Sequence, residues 1–139
     1  MKISGNAFCP CGSEIKFKKC CKLFHEGKNP ETALELMKSR YSAYAANNTK
    51  YLIQTTHREN PDYISDEKKW ENILHEYFDH TEFKNLEILD FIDGTEEAHV
   101  TFKATVSQGA INTSFIEKSK FVKTYDRWLY HSGEFIHES

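Results

Sequence analysis

The sequence predicts an α+β protein, helices first and a long antiparallel meander after them, preceded by a small cysteine-bound module. Three observations carry this. Apolar residues recur at three- and four-residue steps from Ala33 to Tyr77, and from Phe83 onward they recur at every second residue. All four cysteines fall within the first 21 of 139 residues, as Cys9-x-Cys11-x₈-Cys20-Cys21. A run of helices followed by a run of strands packs helices on one face of an antiparallel sheet.

The cysteine run comes first. Four thiolates fill the tetrahedral shell of Zn2+ and leave no position for water or substrate, so Cys9, Cys11, Cys20 and Cys21 read as ligands of one structural zinc. Gly12 stands where the chain must turn back, a place that favours positive φ. Ser13 is placed to cap a short helical turn from Glu14 to Cys20. Lys16, Lys18, Lys19 and Lys22 offset the formal −2 of a tetrathiolate zinc. Disulfides are the alternative. A bridge within either close pair is strained, and crossed bridges need an oxidising compartment. MKISGNAF has no apolar stretch that would act as a secretory signal, which points to a cytoplasmic protein. His25 could substitute for a cysteine, but with four thiols present it reads as a solvated or packing residue.

After the linker Glu26–Pro30, Ala33, Leu34, Met37, Tyr41, Tyr44 and Ala45 form one helical face. A second short helix is predicted from Thr49 to His57. A third starts at Ser65 or Asp66, with Trp70, Ile73, Leu74 and Tyr77 as its stripe. The strands begin at Phe83 and run through Leu86, Ile88, Asp90 and Ile92 to a two-residue turn at Asp93-Gly94. Ala98 to Val106 alternate strictly. A third strand, Asn112 to Tyr125, sets Phe115, Glu117, Ser119 and Phe121 on one face, and Asp126 turns the chain into a fourth, Trp128 to His131. Trp70 and Trp128 are core candidates whose indole N–H groups need a carbonyl partner.

Residues 1–28 carry six lysines against two glutamates, whereas residues 29–139 carry 12 basic and 19 acidic side chains. The division is a head of residues 1–28 and a body of residues 29–139. An acidic body is a poor match to a phosphate backbone, so nucleic-acid binding is not expected. No apolar segment of 18 residues is present, so no membrane partner is expected either.

Cys9, Pro10, Cys11, Gly12, Ser13, Phe17, Lys19, Cys20 and Cys21 together resemble the SEC-C motif, the zinc module that ends the bacterial SecA motor. Glu14-Ile15 departs from it, where the motif commonly has glycine and lysine. The resemblance implies zinc binding and a docking surface for a protein partner. The order of elements resembles the NTF2-like fold, a cone with an interior pocket. The whole chain resembles the YchJ-like bacterial family, through CPCGS with KKCC, LMKSRYSAY, Tyr51-Leu52, Thr56-His57, EKSKF, and Arg127-Trp128-Leu129-Tyr130 with Gly133.

Within the body, Glu117 interrupts an apolar face and has only Ser119 beside it. Arg40, among the core positions of the first long helix, is its expected ion-pair partner, and that pairing is read as structural. His57 is expected at a helix end, where it would complement the dipole or reach Glu117 or a ligand. The remaining histidines read as too scattered for a second metal site. Two functions follow. The first is a zinc-tethered interaction protein whose body binds a partner or a small ligand. The alternative is a small isomerase- or dehydratase-like enzyme with Glu117 as general base in the cone, a reading by fold analogy.

Overall fold

The structure, a computed structural model, describes residues 3–137. The N-terminal module is a tight knuckle. Phe8 bridges to Lys16, the Cys9 N–H donates to Ile15 O at 2.8 Å, and the Gly12 N–H donates to Cys9 O at 3.1 Å. Gly12 has φ +85, the conformation expected of it. Glu14 has φ +65, which a right-handed helix does not admit. The helical turn expected over Glu14–Cys20 is therefore reduced to a 3₁₀ turn, Phe17–Lys19, and α1, Cys21–His25, begins at the last cysteine. Ser13 Oγ accepts the Ile15 N–H instead of capping a helix.

Helix α2, Ala33–Ala45, is capped by Thr32, whose hydroxyl accepts the Glu35 N–H at 3.1 Å. It is buried on opposite sides: Met37, Arg40 and Tyr41 are buried, and so are Leu36, Ser39 and Ala43. Helix α3, Thr49–Gln54, is capped by Asn48 and stops three residues short of His57. The hydroxyls of Thr55 and Thr56 donate back to Tyr51 O and Leu52 O, both at 2.7 Å. The chain then straightens to pair with a distant strand, with Tyr130 N–H on Thr55 O and His57 N–H on Tyr130 O, both 2.8 Å. Asp66 caps α4, Glu67–His80, which buries Trp70, Leu74 and Phe78.

The sheet is a meander of β1 Glu82–Ile92, β2 Glu97–Gln108, β4 Phe115–Thr124 and β5 Arg127–Ile136, in the order β1-β2-β4-β5. The short β3, Ile111–Asn112, pairs with β2. Irregularities at Phe83/Asn85 and Ile88/Asp90 shift the phase of β1, so that Phe91 faces inward while Leu89 and Ile92 are exposed. Residues 93–96 make a four-residue connection rather than a two-residue turn. The third predicted strand is broken at Ser114, whose hydroxyl accepts from the Val106 N–H and donates to Val106 O. Tyr125 and Asp126 both have positive φ (50 and 62), the signature of a tight two-residue hairpin, and β5 continues to Ile136, well past His131.

The helices cover one face of this sheet. The knuckle packs on α2 and α3: Cys9 Sγ lies 3.4 Å from Ser42 Oγ, and His25 Nε2 contacts Ser39 O at 2.8 Å. The His25 ring sits between Phe17 and Tyr51, and the Tyr51 hydroxyl meets Ser39 Oγ at 2.6 Å. Head and body thus share one core. Among the described residues, no helix is long and apolar enough to cross a membrane.

Candidate functional site

Two loci concentrate chemistry. The first is the cysteine cluster, in which all four Sγ atoms lie within 4.8 Å of one another and Cys11 Sγ is 3.7 Å from Cys20 Sγ. Tetrahedral zinc with Zn–S of ~2.3 Å sets sulfurs ~3.8 Å apart, so this spacing is compatible with a metal. The knuckle supplies Cys9 and Cys11, the end of the 3₁₀ turn supplies Cys20, and α1 supplies Cys21. The thiols are linked to one another through hydrogen bonds. S–H donation from Cys11 and Cys21 holds Cys9 well below the ordinary thiol range. Cys11, Cys9 and burial push Cys21 far up. All four could ionise together at this spacing only with a cation between them. Ser13 Oγ lies 3.1 Å from Cys20 Sγ and Ser42 Oγ lies beside Cys9, where each could support a metal-ligating sulfur. His25 is not a ligand: it is packed among rings, and burial lowers its pKa.

The second locus is a cavity of about 660 Å³ between the helices and the concave sheet face, a volume suited to a small molecule. Helix α2 contributes Met37, Arg40, Tyr41 and Tyr44. The loop before α4 contributes Asn60 to Ile64, α4 contributes Trp70, Ile73, Leu74 and Tyr77, and the sheet contributes Phe102, Phe115, Glu117, Ser119, Phe121 and Tyr130. Nearly half of the lining residues are aromatic. At its polar end Glu117 Oε2 accepts from Ser119 Oγ at 2.5 Å and from the Tyr130 hydroxyl at 2.9 Å. Among the described residues no donor reaches Glu117 Oε1, and Glu117 lines the cavity. Burial, and then the Glu117 charge, push the Tyr130 phenol far up, so it stays a donor. Gly133, paired with Ser119, leaves room for this carboxylate. A Cβ there would stand 2.8 Å from the Tyr130 hydroxyl and closer still to Glu117.

Arg40, Glu117 and Ser119 line this cavity together, but Arg40 and Glu117 are not the expected ion pair. Arg40 Nη1 donates to Leu52 O (3.0 Å), Thr55 Oγ1 (2.7 Å) and Thr56 Oγ1 (3.1 Å), and its guanidinium lies 4.7 Å over the Tyr130 ring. Tyr130 stands between the two charges. His57 does not line the cavity. Thr56 beside it does line the cavity and bridges to Tyr130, while the His57 ring is bonded to the Glu59 N–H rather than to Glu117. Instead His57 meets His131 and Glu59, so two of the histidines are not scattered. Tyr130 and Gly133 were the functional residues missed. Their only sequence signal was the R-W-L-Y segment and the glycine that follows it. Trp128 Nε1 finds its carbonyl at Glu31 O, 3.3 Å away.

Fold and sites define a class: an NTF2-like cone joined to a SEC-C motif. Residues 32–133 match the family model for the middle NTF2-like domain of YchJ, and residues 6–23 match that for the SEC-C motif. The chain belongs to the YchJ family. A UPF0225 protein of Serratia proteamaculans is 35% identical over 130 residues, which are 90% of this chain and 81% of the relative. The solution structure of a SEC-C motif containing protein from Rhodopseudomonas palustris superposes with a TM-score of 0.81 at 27% identity, covering 94% of this chain and 100% of that one. A SEC-C motif containing protein from Psychrobacter arcticus has the same fold, with a TM-score of 0.76 at 24% identity, covering 97% of this chain and 86% of that one.

Proposed function

We propose that this protein binds a small aromatic ligand carrying a hydrogen-bond donor in the cone, and that one structural zinc on Cys9, Cys11, Cys20 and Cys21 holds the head against the cavity's α2 wall. The observation that carries the reading is Glu117 Oε1, which meets no donor among the described residues, at the end of a cavity rich in aromatic rings. Ser119 and Tyr130 fix the other oxygen, so the carboxylate is oriented before any ligand arrives and little ordering cost remains at binding. The head supplies the second half of the function, a docking face for a protein partner. Phe8 and Ile15 are exposed there beside Lys16, Lys18 and Lys19.

Metal content and binding test this directly. Elemental analysis should give one zinc per chain. Titration with indole, phenethylammonium and phenylacetate, followed by NMR of the cavity aromatics, should show saturable binding of the two donor-bearing compounds. Glu117→Gln should weaken the ammonium most. If none of the three binds saturably, or phenylacetate binds best, the ligand reading is wrong. A second reading, Glu117 as general base, draws support from the absence of an Arg40–Glu117 ion pair. It requires that Glu117→Gln abolish turnover of a ligand it still binds.

A further inference from the structure

We propose that His57, Glu59 and His131 form a second metal site, for one borderline divalent transition-metal ion such as Zn2+, which ties the loop after α3 to β5. One ligand atom from each residue lies within 4.8 Å of the others. The two imidazole centroids are 5.1 Å apart, and His131 Nε2 is 3.2 Å from Glu59 Oε1. Two imidazoles and a carboxylate are a donor set that zinc and its neighbours accept, with water completing the shell.

The backbone explains why these three meet. Pairing of β4 with β5 passes from Lys120↔Ser132 to Phe121↔Tyr130, which leaves His131 as the extra residue of a bulge. A bulge re-aims a side chain, and here it faces the loop. His57 is held opposite because its own N–H is bonded to Tyr130 O. His131 Nδ1 is engaged with Ser132 Oγ at 2.9 Å, so Nε2 is the nitrogen left for a metal and the serine is its outer-shell partner.

Metal entry has one identifiable cost. His57 Nδ1 accepts the Glu59 N–H at 2.9 Å. A metal at Nδ1 displaces that bond directly, and a metal at Nε2 displaces it because the ring proton must then sit on Nδ1. The bond is exposed, so water replaces it. The site adjoins the cavity without being part of it. Asn60 donates its N–H to His57 O and its side-chain amide to His131 O, and it opens the segment that lines the cavity up to Ile64. An ion here would clamp that wall. The metal claim does not depend on what the cavity binds.

The test is calorimetric titration of Zn2+ into full-length protein whose cysteine cluster is already loaded, with ¹⁵N NMR of the histidine rings. One further zinc per chain should bind, shifting ring nitrogens of His57 and His131. Glu59→Gln should weaken it by about tenfold or more, since even outer-shell losses cost that much. His57→Asn and His131→Gln should abolish it, and His80→Gln on α4 should leave it unchanged. No second zinc, a second zinc retained without both histidines, or one lost in His80→Gln overturns the proposal. Should His57→Asn fail to fold, the wild-type ring spectra decide: zinc-induced shifts that spare His57 and His131 overturn it equally.

Discussion

Replacing Arg40 by methionine tests how the cavity floor is held. Methionine keeps most of the stem's volume but removes every donor. Arg40 is 8% exposed, and its Nη1 serves three acceptors at 2.7–3.1 Å with two protons, the equivalent of two charge-assisted hydrogen bonds. Such bonds contribute ~1.5–3 kcal/mol each, and the relief of no longer burying a guanidinium offsets part of that sum. A net loss of about 2–4 kcal/mol follows, or roughly 10 °C in Tm for a chain of this size. Glu117→Gln should cost about 1 kcal/mol or less, because an amide oxygen still accepts from Ser119 and Tyr130. Urea unfolding of both single variants and the double gives the coupling. With Tyr130 between the charges, coupling should stay near ~0.5–1 kcal/mol, the low end for residues in one network. A double variant more stable than Arg40→Met alone by ~3 kcal/mol would establish the direct ion pair and refute the argument.

Chelation should destabilise the whole chain rather than unravel the head alone, because Cys9, His25 and Phe17 pack on α2 and α3. Amide exchange in α2 should accelerate on removal of metal, and a body whose Tm is indifferent to chelator would show the shared core to be inconsequential. Alkaline pH should unfold the protein through its tyrosines. Burial raises Tyr41 and Tyr51 to about 12 and pushes Tyr44, Tyr77 and Tyr130 up as well. The unfolded chain releases these protons first, near pH ~10, so stability is complete below that pH and falls as pH rises toward 12. Tyr63 and Tyr125 are exposed, so titration at 295 nm should show the other five of the seven phenols ionising only together with unfolding; more than two phenols ionised near pH ~10 in folded protein would contradict the burial.

Some of this was legible in the residues. The period of two in Phe115, Glu117, Ser119 and Phe121 placed all four on the cavity face, because alternation along a regular strand has one solution. The cysteine spacing was equally direct. Arg40 was not, since opposite charges suggest a pair whereas its actual acceptors, a backbone carbonyl and two threonine hydroxyls, carry no charge signature. His131 was not legible because a bulge breaks the alternation on which the reading depends, and the same cause exposed Leu89 and Ile92 on β1. Helix α3 was read too long because the capture of its last carbonyls by Thr55 and Thr56 depends on a strand some seventy residues further on.

That distant pairing has a kinetic consequence. Strands β1, β2, β4 and β5 each pair with a neighbour along the chain, across short connections that cost little entropy to close. The parallel bridge from Thr56 to Tyr130 encloses α4, β1 to β4 and the start of β5 within its loop. It therefore forms only after the hairpins exist, so folding should proceed from sheet to cone, and Tyr130 should show φ-values near 1 for its contacts with β4 and near 0 for those with α3. The cavity is accordingly the last part of the molecule to be built, and the ring that separates its two opposite charges is the piece that closes it.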